Sequence, residues 1–273
     1  MNARPIICLL TDFGLQDVYV GVMKTVIARI APEAICVDLT HEIPPGDIRA
    51  GAFALWQTAG PGRLPLGTTV LAVVDPGVGT NRKAVVVDLG SHTYVGPDNG
   101  LVSYLLSEPI RAYELPLPSR ASQTFHGRDV FAPAAAHLAA GAAMTDLGAP
   151  VKELVRLPAQ HFELSQTGAR AEVLHVDRFG NAVTGIALAY QGETVDVRGF
   201  TGGAGARWPV SRLEVVLDNG KHAPLRGTYG DVADGAVLAY LGSCGLLEIG
   251  IRNGNASEIL GLHHGSGVTL QLV

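Results

Sequence analysis

The sequence predicts an α/β fold in two parts: an N-terminal doubly wound domain with a mostly parallel sheet, then a smaller, mostly antiparallel β domain. Three observations carry this expectation. Continuous apolar runs such as IICLL and VLAVV read as strands buried on both faces. They alternate with segments of helical periodicity, the signature of strand–helix–strand units. Beyond about residue 165 the texture changes to short alternating runs (AEVLHVD, ETVDVRG, RLEVVLDNGKHAPL) separated by Gly, Asp and Asn. There DNG at Asp218–Gly220 is a hairpin signal.

Taken in order, the first strand spans 6–10 and ends in the turn TDFG. Tyr19, Met23, Ile27 and Ile30 recur at helical spacing, and Pro32 closes a helix over 17–30. A strand at 34–39, a helix at 47–57 behind Pro44 and Pro45, and a strand at 69–74 follow. After the turn DPGVGTNR come a strand at 84–89, a short helical piece at 103–106 and a helix at 130–140 behind HGRD. The boundary falls within 155–170 and is drawn to give domains 1–163 and 164–273.

A chain of 273 residues is long enough for two cores. Hydrophobic residues make up 47% and charged residues 16%, the balance of a well-buried globular protein. The net charge of -5, with Lys and Arg scattered, excludes the footprint of a nucleic-acid or membrane-surface binder. Cys8, Cys36 and Cys244 share no CxxC or CxxH spacing, so neither a disulfide framework nor a zinc site is supported, and a reducing compartment is expected. The stretch MNARPIICLLTDFG is too short for a secretory leader, and no run approaches the roughly 20 apolar residues that span a bilayer, so the expected location is the cytoplasm.

Neither GxxxxGK[ST] nor a GxGxxG after the first strand is present, which weighs against ATP and NAD. No cofactor and no metal is expected. Asp38, His41 and Glu42 are suitable ligand types but lack metal-site spacing and read as a hydrogen-bonding turn. His263 and His264, in a glycine-rich context, read as structural.

In open α/β sheets ligands collect at the carboxyl ends of strands. Asp12, Asp75, and His126 with Arg128 occupy such positions. Asp12 alone is also explained as a turn-forming residue. In DPGVGTNR, Pro76 fixes φ while Gly77 and Gly79 let backbone N–H groups face a cleft; a ligand-free strand connection explains it equally well. In VDRFGNAVT, Asp177 suits an ammonium, Phe179 a stacked base and Asn181 an adenine edge, against the plainer reading of a β-turn with a buried Phe. LGSCGLLEIGIRNGNAS adds Ser243 and the turn Gly254–Ala256.

Together and in this order, TDFG, DPGVGTNR, GPDNG, TFHGRD, DRFGN and SCGLLEI…GNA resemble the S-adenosyl-L-methionine hydrolases, or hydroxide adenosyltransferases, relatives of the fluorinases and chlorinases. The resemblance covers essentially the whole chain. It implies a C-terminal domain of β-barrel-like form and a homotrimer whose substrate sites lie between subunits. Carried over residue by residue, it makes Asp75, Arg82 and His126 the catalytic set. It gives Asp12 the ribose hydroxyls, Asp177 and Ser243 the methionine end, and Phe179, Asn181 and the backbone from Gly254 to Ala256 the adenine.

The residue after Ser243, an arginine in the fluorinase, is here Cys244. Asp75 stands where the fluorinase has tyrosine, and His126 and Gly127 replace its halide-pocket tyrosine and serine. The short DLGSHTYVG replaces a long insertion. A carboxylate facing a halide repels it, so the resemblance implies water as the nucleophile and hydrolysis to adenosine and methionine. A slow or non-catalytic adenosyl-ligand binder, and a metal hydrolase built on Asp38 and His41, are the competing readings.

Overall fold

The computed structural model describes residues 4–60 and 62–273. Met1–Ala3, part of the N-terminal stretch weighed above as a leader, lie outside them. The chain divides into two compact units, Met1–Leu157 and Pro158–Val273.

The first unit runs β1 (Ile6–Thr11), α1 (Tyr19–Ile30), β2 (Ile35–Thr40), α2 (Ile48–Ala59), β3 (Thr68–Val73), β4 (Ala84–Asp88), β5 (His92–Pro97), β6 (Ala112–Glu114), α3 (Ala132–Ala139), α4 (Met144–Leu147) and β7 (Ala149–Val151). Its seven-stranded sheet has the order β2-β1-β3-β5-β4-β6-β7. Side chains alternate between two cores, as the pleat requires. Ile7, Leu9, Leu71 and Val73 pack with Met23 and Ile27 of α1 and with the alanines of α3. Leu10, Val70, Ala72 and Val74 pack with Leu55 and Ala59 of α2. Both faces of the central strands are therefore covered, which is why their sequences are apolar without alternation.

The sheet is mixed, a correction to the mostly parallel sheet expected. β2, β1, β3 and β5 are mutually parallel, whereas β5-β4, β4-β6 and β6-β7 are antiparallel. The cause lies in connection length: β4 and β5 are joined by a tight turn at Leu89–Ser91, too short for the crossover that a parallel pair needs.

β1 lies between β2 and β3, with α1 and α2 leading away on opposite faces. That makes the carboxyl ends of β1 and β3, where Thr11 is in register with Val73, the topological switch point of the sheet. Asp12 and Asp75 follow at once.

The second unit comprises β8 (Phe162–Leu164), β9 (Gly168–Val176), β10 (Ala182–Gln191), β11 (Thr194–Gly199), β12 (Gly202–Pro209), β13 (Leu213–Leu217), β14 (His222–Ala223), β15 (Val237–Leu241), β16 (Leu246–Ile251), α5 (Ala256–Leu260) and β17 (Gly267–Leu272). All pairings between these strands are antiparallel. The main ladder runs from β12 to β14, with β16 branching from β10 and β8 from β9. Val173, Ile186, Val197, Val215, Leu247 and Leu270 belong to its core. The expected hairpin forms at Asp218–Gly220, between β13 and β14. His263 and His264 are exposed, and His263 braces the turn before β17: its N–H donates to Ser266 Oγ at 3.0 Å and its Nδ1 lies 2.9 Å from the carbonyl oxygen of His264. Among the described residues no helix is long and apolar enough to cross a membrane.

Candidate active site

In the first unit the turn after β3 places Asp75 and Arg82 together. Arg82 Nε donates to both carboxylate oxygens of Asp75 at 3.0 Å, and Nη2 donates to Oδ2 as well. Both side chains are almost wholly buried, and the guanidinium lies 5.2 Å from the ring centroid of Phe131. The same Nη2 donates to Nδ1 of His126 at 2.9 Å. Arg82 Nη1 is buried and has no hydrogen-bond partner among the described residues, so the cation keeps an unused donor. His126 is buried, and that burial, with the Arg82 cation beside it, holds its imidazole below the ordinary histidine range against the opposing pull of Asp75 and Asp129.

Gly79 makes the turn possible: its φ is +77°, and a Cβ there would lie 2.5 Å from the carbonyl oxygen of Gln123. Asn99 Nδ2 donates to the carbonyl of Val74 at 2.9 Å, bracing the end of the strand. Arg128 is committed elsewhere, to Asp129 at 2.7 and 2.8 Å. Asp12 accepts from the N–H of Gly46 at 2.8 Å, tying TDFG to the double-proline loop. Asp38 and His41 serve the same region: His41 Nδ1 is 2.8 Å from Thr11 Oγ1, its Nε2 is 3.1 Å from Asp38, and Asp38 accepts from Lys24 at 2.6 Å. Among the described residues no group of three or more His, Cys, Asp or Glu is arranged to hold a metal ion.

The second unit contains a cleft of about 1020 Å³, large enough for a nucleoside with an attached amino acid. Asp177, Phe179, Asn181, Ser243 and Gly254 all line it. Ala256 does not; its side chain is fully buried at the start of α5. Asp177 shapes the loop: its Oδ1 accepts from the N–H groups of Phe179 (2.9 Å) and Asn181 (2.8 Å), and its Oδ2 accepts from Asn181 Nδ2 at 2.9 Å. Gly180, at φ +83°, turns the chain where a Cβ would collide with Asn255. Phe179 is thereby pushed outward and is 77% exposed, a correction to the buried Phe of the plainer reading.

The chain matches the family model described as the SAM hydroxide adenosyltransferase N-terminal domain over residues 7–148, and that of the C-terminal domain over residues 171–269. It is 46% identical to the (R)-S-adenosyl-L-methionine hydrolase of Thermus thermophilus, across 98% of this chain and 99% of that one. The chain belongs to the SAM hydroxide adenosyltransferase family. A fluorinase of Nocardia brasiliensis is a more distant relative, 28% identical over 90% of each chain. A solved structure of a conserved protein from Thermotoga maritima superposes with a TM-score of 0.83 at 31% identity, covering 97% of this chain and 99% of that one.

Among the cleft residues of this hydroxide adenosyltransferase that escaped the sequence reading are Tyr229, Tyr240 and Glu248. Tyr229 donates to Asn181 Oδ1 at 2.8 Å, the two phenol oxygens lie 2.7 Å apart, and Tyr240 donates to Glu248 Oε2 at 2.8 Å. A signal was available. Reading AVLAYLG and LLEIGI as a hairpin sets Tyr240 directly opposite Glu248, the register observed. Both polar ends of the Asn181 side chain are engaged, to Asp177 and to Tyr229, so one amide hydrogen and one lone pair of the oxygen are left for a ligand.

Proposed function

We propose that this protein hydrolyses S-adenosyl-L-methionine to adenosine and L-methionine, with water attacking the 5′ carbon of the ribose. The observation that carries the reading is the Asp75–Arg82–His126 set, whose buried cation has a donor to spare. Arg82 donates to His126 Nδ1, so the neutral ring has its proton on Nε2. Two donors, Arg82 Nη1 and His126 Nε2–H, then hold the attacking oxygen and favour hydroxide character on it. Asp75, with both oxygens on Arg82, is assigned the orienting role.

The new C–O bond forms as the 5′ carbon–sulfur bond breaks. The electron pair goes to sulfur, turning a sulfonium into a neutral thioether, and the proton of the attacking water passes to solvent. The leaving group needs neither protonation nor a Lewis acid, and we propose turnover without a metal or other cofactor. Asp12 is assigned the ribose hydroxyls, Asp177 and Ser243 the methionine portion, and Phe179, Asn181 and the Gly254–Ala256 turn the adenine. The reading includes a cytoplasmic homotrimer with sites shared between subunits, and a barrel-like form for the C-terminal domain.

The test is incubation with S-adenosyl-L-methionine in water enriched in heavy oxygen, with and without EDTA and chloride. Adenosine labelled on its 5′ hydroxyl and unlabelled methionine should appear at equal rates in every arm. Unlabelled adenosine, a chlorinated nucleoside or no turnover would overturn the reading.

A further inference from the structure

The end of β1 carries a second group of polar side chains that the proposed chemistry does not use. Between β1 and β2 the register shifts by one residue, from Leu9 opposite Asp38 to Leu10 opposite Thr40, so the next residues to meet are Thr11 and His41. His41 Nδ1 is 2.8 Å from Thr11 Oγ1, and its Nε2 is 3.1 Å from Asp38 Oδ1, off the line of a full hydrogen bond. Lys24 holds Asp38 in turn, at 2.6 Å. Hydroxyl, imidazole and carboxylate thus stand in the order of a nucleophilic triad. Thr11 is 0% exposed, however, and His41 is 3% exposed, so no substrate reaches the hydroxyl and a nucleophilic role is excluded.

What the hydroxyl does touch is the turn that carries Asp12. Thr11 Oγ1 accepts from the N–H of Phe13 at 3.2 Å, and its own hydrogen, buried with no other acceptor among the described residues, goes to His41 Nδ1. The carbonyl of His41 accepts from the N–H of Gly14 at 2.8 Å, where the backbone turns at φ +66°. Further along the same loop the N–H of Gly46 donates to Asp12 Oδ2 at 2.8 Å, which leaves Oδ1 for a ligand. Asp12 is therefore held on both sides and at its carboxylate by one segment, residues 41–46. Removing the imidazole would leave the Thr11 hydroxyl without a partner in a dry site, a penalty that the turn relieves by moving.

We infer that His41 is a positioning residue for recognition of the ribose: it touches no ligand, and acts by holding the Asp12 carboxylate where the vicinal hydroxyls of a ribonucleoside reach it. This role rests on the proposed assignment of Asp12 to the ribose hydroxyls. Through it His41 sets the preference of this end of the site for a ribonucleoside over a nucleoside that lacks those hydroxyls.

The test is calorimetry of the full-length protein with adenosine and with 2′,3′-dideoxyadenosine. Wild type should prefer adenosine on the order of ten- to a hundredfold, the worth of buried hydrogen bonds to a carboxylate. His41→Leu and the near-isosteric Thr11→Val each break the bond between the two side chains. In both variants the preference should largely disappear while affinity for dideoxyadenosine stays at the wild-type value, which also reports a folded site. His41→Asn, whose amide oxygen can replace Nδ1 as the acceptor, should keep most of the preference. In an Asp12→Ala background His41→Leu should cause no further loss, because the imidazole acts only through Asp12. A preference that survives intact in His41→Leu and Thr11→Val, or an equal loss of affinity for both nucleosides, overturns the inference and leaves the Asp12 assignment standing. A wild type without the preference overturns both, whereas turnover of S-adenosyl-L-methionine, read separately, reports on the proposed reaction.

Discussion

Arg82 Nη2 donates to Nδ1 of His126 at 2.9 Å, and this bond determines which proton the imidazole carries. Arginine offers no acceptor, so Nδ1 must be unprotonated and a neutral ring bears its hydrogen on Nε2. Protonating His126 would set two donors against each other.

A pH dependence follows. The folded-state value of His126 lies below the ordinary one, mainly through burial and the Arg82 cation, so turnover should hold through neutral pH and fall only below the usual histidine range near 6.5. The stability linked to this group has the same sign: the unfolded chain binds the extra proton first, so the contribution is present above the unfolded value and is lost as pH falls through the folded one. A pH–rate profile of kcat with parallel thermal denaturation checks both. An acid limb above pH 6.5 would contradict the assignment.

Replacing Asp75 tests the brace on Arg82. Asp75→Ala should lower kcat on the order of 10²- to 10⁴-fold while leaving adenosine affinity nearly unchanged, because the proposed ligand contacts lie elsewhere. Removing one partner of a buried pair should also destabilise the fold by about 3 to 5 kcal/mol, readable in urea titrations. Wild-type turnover in this variant would exclude Asp75 from the mechanism.

Phe179 and Asn181 should separate binding from stability. Phe179 is largely exposed, so Phe179→Ala should leave the melting temperature nearly unchanged yet weaken adenosine binding by about 1 to 3 kcal/mol if the ring stacks on the base. Asn181→Ala should weaken binding and also lower stability, since it unhooks Asp177 from Tyr229. Calorimetry and thermal melts on the two variants give the contrast, and equal stability losses would remove it.

Assembly is tested by light scattering. A trimer is expected at micromolar concentration, with turnover lost on dilution to monomer; a monomer retaining full activity would refute shared sites.

In the first unit the sequence by itself determined β1 to β4, α1 to α3 and the order of the motifs, because burial on two faces forces unbroken apolar runs and helical periodicity shows in any window of a few turns; the short strands β5 to β7 were not read from it. It also singled out Asp75 and His126, since residues directly after strands and around glycine turns are legible locally, whereas Arg82 entered only through the family resemblance. Only the tertiary structure decided how β4 and β5 pair, that Phe179 faces outward, and that Arg128 is tied to Asp129 and not to His126. Only it joined Asn181, Tyr229, Tyr240 and Glu248 into one chain of hydrogen bonds. Tyr240 and Glu248 face each other across one hairpin, but Asn181 lies 48 positions from Tyr229, and no local pattern encodes a distance of 2.8 Å between side chains brought together by the folding of the sheet.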